Sequence, residues 1–240
     1  MGDIIRSFGL NTSVLLSLTL VFFLFSENLS HRPSKPAAYG GKSRAVAYGL
    51  LLALIGIFVM ATPITFGNGV YVDARTILIG LAAAFFGWLP TLMAAVACVA
   101  FRMYEGGAGM VPGILTILTA LFCGLIWRRW RGQDPSKTGF WELYGLGLII
   151  HICAVAILFA LLPATRVAIL EQIAPVFILV YPLIFAALGL LMQHRFRLEL
   201  ERLEFDKSRR RYHNLFHNNH LPMFLVDPQD GSLVDVNSAA

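Results

Sequence analysis

Two arginines stand beside carboxylates in otherwise apolar sequence: Asp73 and Arg75 within GNGVYVDARTILIG, residues 67–80, and Arg102 with Glu105 within FRMYEGGAGMVPG, residues 101–113. A guanidinium is a planar fork of donors that matches a carboxylate. These residue types therefore offer capture of a small anion, or pairing with Asp73 and Glu105 themselves. Catalysis finds no comparable set. His31, His151, His194, His213, His217 and His220 are spread over loops, apolar segments and a charged stretch. His151 alone lies inside an apolar run, where it either lines a cavity or hydrogen-bonds a neighbouring helix.

The elements that must position the arginines belong to a membrane protein. The chain has 240 residues, 57% of them hydrophobic and 14% charged, with a mean hydropathy of +0.69, which is too apolar for a soluble domain of this length. Runs near the ~20 residues a spanning helix needs lie at 8–25, 45–62, 111–127, 143–162 and 173–193. A shorter pair, 75–88 and 90–104, is joined at GWLP, residues 87–90. The expected fold is an all-α polytopic membrane protein with 6–7 transmembrane helices, the short helical hairpin among them.

Lys and Arg set the orientation. Arg32, Lys35, Lys42 and Arg44 follow the first run; Arg128, Arg129, Arg131 and Lys137 follow the run at 111–127. Both groups read as cytoplasmic loops, as does HRFRLELERLEFDKSRRR after Gln193. The N-terminus is then periplasmic and the C-terminus cytoplasmic. A cleaved signal peptide is the competing reading of residues 1–30, but the excess of bases after the apolar run favours a retained anchor. The net charge of +5 is accounted for by these loops and calls for no nucleic acid. Cys98, Cys123 and Cys153 stand singly in apolar runs, so no metal, cofactor or disulfide framework is expected.

The hairpin sets the depth of the arginines. From Trp88 back to Arg75 is ~20 Å of helix, and from Pro90 forward to Arg102 ~18 Å, against a hydrocarbon layer of ~30 Å. With the GWLP turn at the inner interface, both positions fall ~10 Å short of the outer boundary, as that difference implies. An arginine at that depth needs partners or a polar cavity. Two readings stay open: ordinary helix-end arginines that snorkel to the headgroups or pair locally, and cations of a small pocket open to the outside. TPITFGNGVYVD, residues 62–73, and EGGAGMVPG, residues 105–113, favour the pocket, because such glycine-rich breaks at membrane depth must be covered and can present backbone N–H groups to an anion.

With these residues in view, the chain from 45 to 194 resembles the sensory membrane region of LytS-type (LytS-YhcK) five-transmembrane receptors. The most specific marks are Asp73-x-Arg75 and Arg102 followed by Gly106 and Gly107. The resemblance implies a bacterial inner-membrane receptor for pyruvate-like carboxylates, with Arg75 and Arg102 as ligand contacts. It further implies that Gly113 and Thr116 stand where such receptors can carry Cys and Ser. The candidate ligand-binding set is then Arg75, Arg102, Asp73, Asn68, Tyr71, Glu105, Gly107, Gly113 and Thr116.

Beyond the membrane region, residues 195–215 read as a cytoplasmic helix. Leu191, Leu198, Phe205 and Tyr212 recur every seven residues, which allows a parallel coiled coil and a homodimer, or else a solvated linker. The helix YHNLFHNN, the strands PMFLVD and SLVDVN, and the Asp230-Gly231 turn resemble the start of a PAS domain, α+β and truncated at residue 240. The expected organisation is an anchor and basic loop at 1–44, the sensor at 45–194, the signalling helix at 195–215 and a PAS start at 216–240. The resemblance implies an output beyond, a diguanylate cyclase or alternatively a histidine kinase. A solute-binding transporter component is the other class. Partners are a small anion, membrane lipid and a second copy.

Overall fold

The computed structural model describes residues 42–65, 71–132, 137–161 and 174–240. The expected N-terminal anchor and most of the first basic loop lie outside the described residues. The described chain forms two compact units, one ending at Phe196 and one from Arg197 to Ala240.

The first unit contains α1 (Lys42–Met60), a two-residue antiparallel pair β1 (Ile64–Thr65) and β2 (Tyr71–Val72), α2 (Arg75–Phe86), α3 (Trp88–Glu105), α4 (Met110–Arg131) and α5 (Phe140–Leu161). A π-helical turn, Val176–Val180, then leads into α6 (Tyr181–Phe216). Among the described residues, four stretches are long and apolar enough to cross a bilayer: Lys42–Met60, Met110–Arg131, Phe140–Ala160 and Val176–Phe216. The chain is a multi-pass helical membrane protein, as its composition requires.

The expected hairpin is α2 and α3, and its two arms are unequal. Helix α2 has 12 residues, ~18 Å, whereas α3 has 18, ~27 Å, and begins earlier than expected at Trp88. Pro90 falls in the first turn of α3, where its missing N–H costs no hydrogen bond. Three further boundaries depart from the sequence reading. The loop at 62–73 contains the β1–β2 pair, the glycine-rich break shrinks to residues 106–109 so that Gly113 lies inside α4, and Arg128, Arg129 and Arg131 belong to α4 rather than to a loop.

Every residue of α2 is buried. An apolar helix covered on all sides is the centre of its unit, not a surface element. Close packing is made possible by small residues. A Cβ added at Gly124 of α4 would lie 2.6 Å from both Ala83 Cβ and the Gly80 carbonyl oxygen of α2. Helix α1 packs chiefly on α3, α4 covers α2, and Phe196 lies 5.8 Å from both Phe85 and Phe86 at the end of α2.

The C-terminus of α2 is closed by a side chain from another helix. Arg128 Nη1 donates to the carbonyls of Ala84 at 2.9 Å and Phe85 at 2.8 Å. A cation there also meets the negative end of the helix dipole. Gly87 turns the chain with φ of 86°, and an added Cβ would lie 3.4 Å from Arg128 Nε. A side chain at Gly87 is thus opposed by both conformation and space.

In the second unit, β3 (Phe224–Val226) and β4 (Leu233–Val236) pair antiparallel, with a register irregularity between Leu225 and Val226. The helix before them ends at Phe216, so His217, Asn218 and Asn219 are not its last turn as the sequence implied. Asn237 ties the ends of the hairpin. Its Oδ1 accepts from Met223 N at 2.9 Å, and its Nδ2 donates to Leu221 O at 2.8 Å and Asn219 O at 3.3 Å. Hydrogen bonds from Ser232 hold the turn carboxyl of Asp230 below its ordinary pKa.

Arg128→Met keeps the apolar stem and leaves the two carbonyls without their cation. The expected loss is about 2 kcal/mol, the cost of abandoning buried hydrogen bonds to a charged group. Unfolding of the detergent-solubilised protein checks it, and a variant as stable as the parent would refute the capping role.

Candidate functional site

The site is built from the N-terminus of α2 upward. The first N–H groups of a helix have no intrahelical acceptor. Asp73 supplies one: its Oδ1 accepts from Arg75 N at 2.9 Å, while its Oδ2 accepts from Arg75 Nη1 at 2.7 Å. One carboxylate thus caps the helix, complements its dipole and neutralises the guanidinium. The pair is sealed off, with side-chain exposures of 6% for Arg75 and 1% for Asp73.

Arg102 occupies the last turn of α3 and is completely buried. Its Nη1 donates to Glu105 Oε2 at 3.0 Å and its Nε to Gly109 O at 3.3 Å. Gly106 and Gly107 follow with φ of 66° and 80°, the left-handed region that turns the chain from α3 into α4. Sequence reasoning placed both arginines below the outer surface with Asp73 and Glu105 as nearest partners, and both pairings are present. The snorkelling alternative fails for both side chains, which do not reach solvent.

Gly113, in the first turn of α4, brings the two pairs together. A Cβ built there would lie 2.8 Å from Arg102 Nε and 2.9 Å from Arg75 Nη2. Both guanidinium groups therefore lie against one point of backbone, and a side chain there would have to displace them. Among the described residues, two cations and two carboxylates give the cluster a formal charge of zero. Asp73 feels Glu105 and Arg102 as well as its own partner, so the four groups form a single electrostatic unit. Thr116 is buried nearby and donates its hydroxyl to Gly113 O at 2.8 Å.

One donor in this unit is left over. Arg75 Nε is buried and has no hydrogen-bond partner among the described residues. A buried donor without an acceptor is costly.

Of the remaining sequence candidates, Gly107 sits in the α3–α4 turn, where its carbonyl accepts from Met110 N at 3.1 Å. Tyr71 is placed by the backbone of β2, just before Asp73. Asn68 lies outside the described residues. The notable addition is Thr76, the residue after Arg75. Its hydroxyl lies 3.1 Å from His151 Nε2, and His151 Nδ1 lies 2.7 Å from Gly147 O. A carbonyl can only accept, so Nδ1 carries the hydrogen and Nε2 accepts from Thr76. The imidazole stands edge-on to Phe177 and Tyr181, with ring centroids 5.5 and 5.0 Å away. Sequence singled out His151 and the interhelical role, but not its partner 75 positions earlier.

A short buried helix, an unequal hairpin and an ionic cluster at the hairpin's open end characterise this polytopic membrane domain. The chain belongs to the family described as 5TMR of 5TMR-LYT, which it matches over residues 35–195. Membership makes this region the membrane sensor of a signalling protein. No curated protein and no solved structure gives a match.

Gly113→Ala puts a methyl group where two buried guanidinium groups now lie. The expected cost is about 1–3 kcal/mol, the range for overpacking a filled site. Thermal unfolding in detergent measures it, and an unchanged midpoint would show that the arginines do not converge there.

Proposed function

We propose that this chain is the receptor portion of a bacterial inner-membrane signalling protein, binding a small carboxylate of the pyruvate class from the periplasmic side. The observation that carries the reading is the convergence of Arg75 and Arg102 on Gly113, with Arg75 Nε lacking an acceptor among the described residues. Two guanidinium forks at one point suit a carboxylate and, beside it, a carbonyl oxygen. Asn68, Tyr71, Gly107 and Thr116 are proposed to complete the wall of the site.

Transmission is proposed to start next to the ligand. Thr76 follows Arg75 and bonds His151, whose ring packs on Phe177 in the π-helical turn and on Tyr181 at the start of α6. π-helical turns strain the backbone ladder and recur at functional sites. A ligand that pulls Arg75 thereby biases the packing at the root of α6, provided that it prefers one arrangement over the other. Residues 195–215 would carry the change to a PAS domain beginning near 216 and then to an output domain, a diguanylate cyclase. Phe205 and Tyr212 are exposed on that helix and supply part of a seam for a homodimer.

Titration of the detergent-solubilised protein with pyruvate, followed calorimetrically, tests the site. Arg75→Ala and Arg102→Ala are each expected to weaken binding by ~10–100-fold, the loss of one or two charge-assisted hydrogen bonds. Arg75→Lys keeps the charge but loses the fork, so it is expected to fall between wild type and Arg75→Ala. Equal affinity in all four proteins would remove both arginines from the site.

A further inference from the structure

The charge balance of the cluster raises a question that the carboxylate reading does not answer. Arg75 and Arg102 already face Asp73 and Glu105, and an anion added to a neutral buried cluster leaves an uncompensated charge. One of the two carboxylates has to give way. Their geometries are unequal, and the inequality identifies which.

Asp73 is held by two hydrogen bonds, one of them the cap of α2, and its side chain is 1% exposed. Its charge also lies at the favourable end of a helix dipole. Glu105 makes one bond, Nη1 of Arg102 to Oε2 at 3.0 Å, and its side chain is 17% exposed. It is the last residue of α3, where a negative charge meets the negative end of the helix dipole. Beside it the space is open: no atom lies within 4 Å of a Cβ built at Gly106. Glu105 is therefore the carboxylate less firmly held, by one hydrogen bond among the described residues and at a partly exposed position, whereas Asp73 cannot leave without uncapping a buried helix.

We propose that Glu105 is a built-in competitor of the ligand. Its carboxylate occupies Arg102 in the unliganded receptor and is exchanged for the carboxylate of the incoming molecule, which also takes the free Nε of Arg75. The inference rests on the reading of Arg75 and Arg102 as a carboxylate site. It adds a selection rule. One carboxylate out and one in keeps the buried cluster neutral, so the site takes monoanions and discriminates against dianions, which leave it with a net negative charge. Resting occupancy by Glu105 also lowers the apparent affinity, because each binding event must first break an internal ion pair.

The test is titration of the detergent-solubilised chain with pyruvate, succinate and inorganic phosphate, comparing wild type with Glu105→Gln, Glu105→Ala and Asp73→Asn. Both Glu105 variants are expected to bind pyruvate about tenfold more tightly than wild type, the worth of a charge-assisted hydrogen bond no longer competing. Wild type is expected to prefer pyruvate to succinate and to phosphate dianion. Asp73→Asn is expected to bind more weakly, since it loosens Arg75. Pyruvate affinity that is unchanged or reduced in both Glu105 variants overturns the exchange while leaving the carboxylate site standing. Equal tightening in Asp73→Asn also overturns it, because any lost negative charge would then do. Failure of every protein to bind pyruvate removes the carboxylate reading, and the exchange with it.

Discussion

The burial of a 12-residue helix on every side is the constraint from which the rest of this membrane unit follows. Such a helix cannot leave its terminal backbone groups to water, because no water reaches them. At its start the solution is Asp73, which accepts from Arg75 N and in doing so fixes a guanidinium at the same depth. At its end the solution is Arg128, reaching from α4 to the carbonyls of Ala84 and Phe85. An acid at the positive pole and a base at the negative pole complement the dipole from both sides.

Holding the helix this way also creates the site. A capping carboxylate alone would be an uncompensated buried charge, so Arg75 accompanies it; breaking such a pair typically costs ~3–5 kcal/mol. Gly113 and the glycines after Glu105 then let α3 and α4 bring Arg102 to the same place. The two buried cations are thus consequences of supporting a short buried helix. The small residues Ala83 of α2 and Gly124 of α4 serve the same end by letting the two helices approach closely enough for Arg128 to span the gap.

The sequence disclosed the parts of this arrangement that are local. Asp73 and Arg75 are two positions apart and Arg102 and Glu105 three, spacings that place partners together whatever surrounds them. The apolar runs and the DG turn between strands were legible for the same reason. What the sequence hid depends on distant segments. Arg128 looked like one of several loop bases that set topology, yet it is buried against α2, 43 and 44 positions away. Gly113 looked like part of a flexible break, and only the packing of α2, α3 and α4 reveals that two guanidinium groups exclude a Cβ there. Thr76 carried no signal of its own, since a threonine in an apolar helix finds its partner only when the helices pack. The β1–β2 pair was hidden by its length, two residues on each side being too few to show alternation.

The central claim is that Asp73 and Arg75 form one buried, mutually dependent unit. A double-mutant cycle in the detergent-solubilised protein, with Asp73→Asn, Arg75→Gln and the double variant followed by chemical unfolding, measures that dependence directly. Each single change is predicted to cost ~3–5 kcal/mol, with the double variant recovering a large part of the loss because neither charge is left alone. Small and additive effects would contradict the account, for they would mean that both side chains meet solvent and that the buried helix is held by something else.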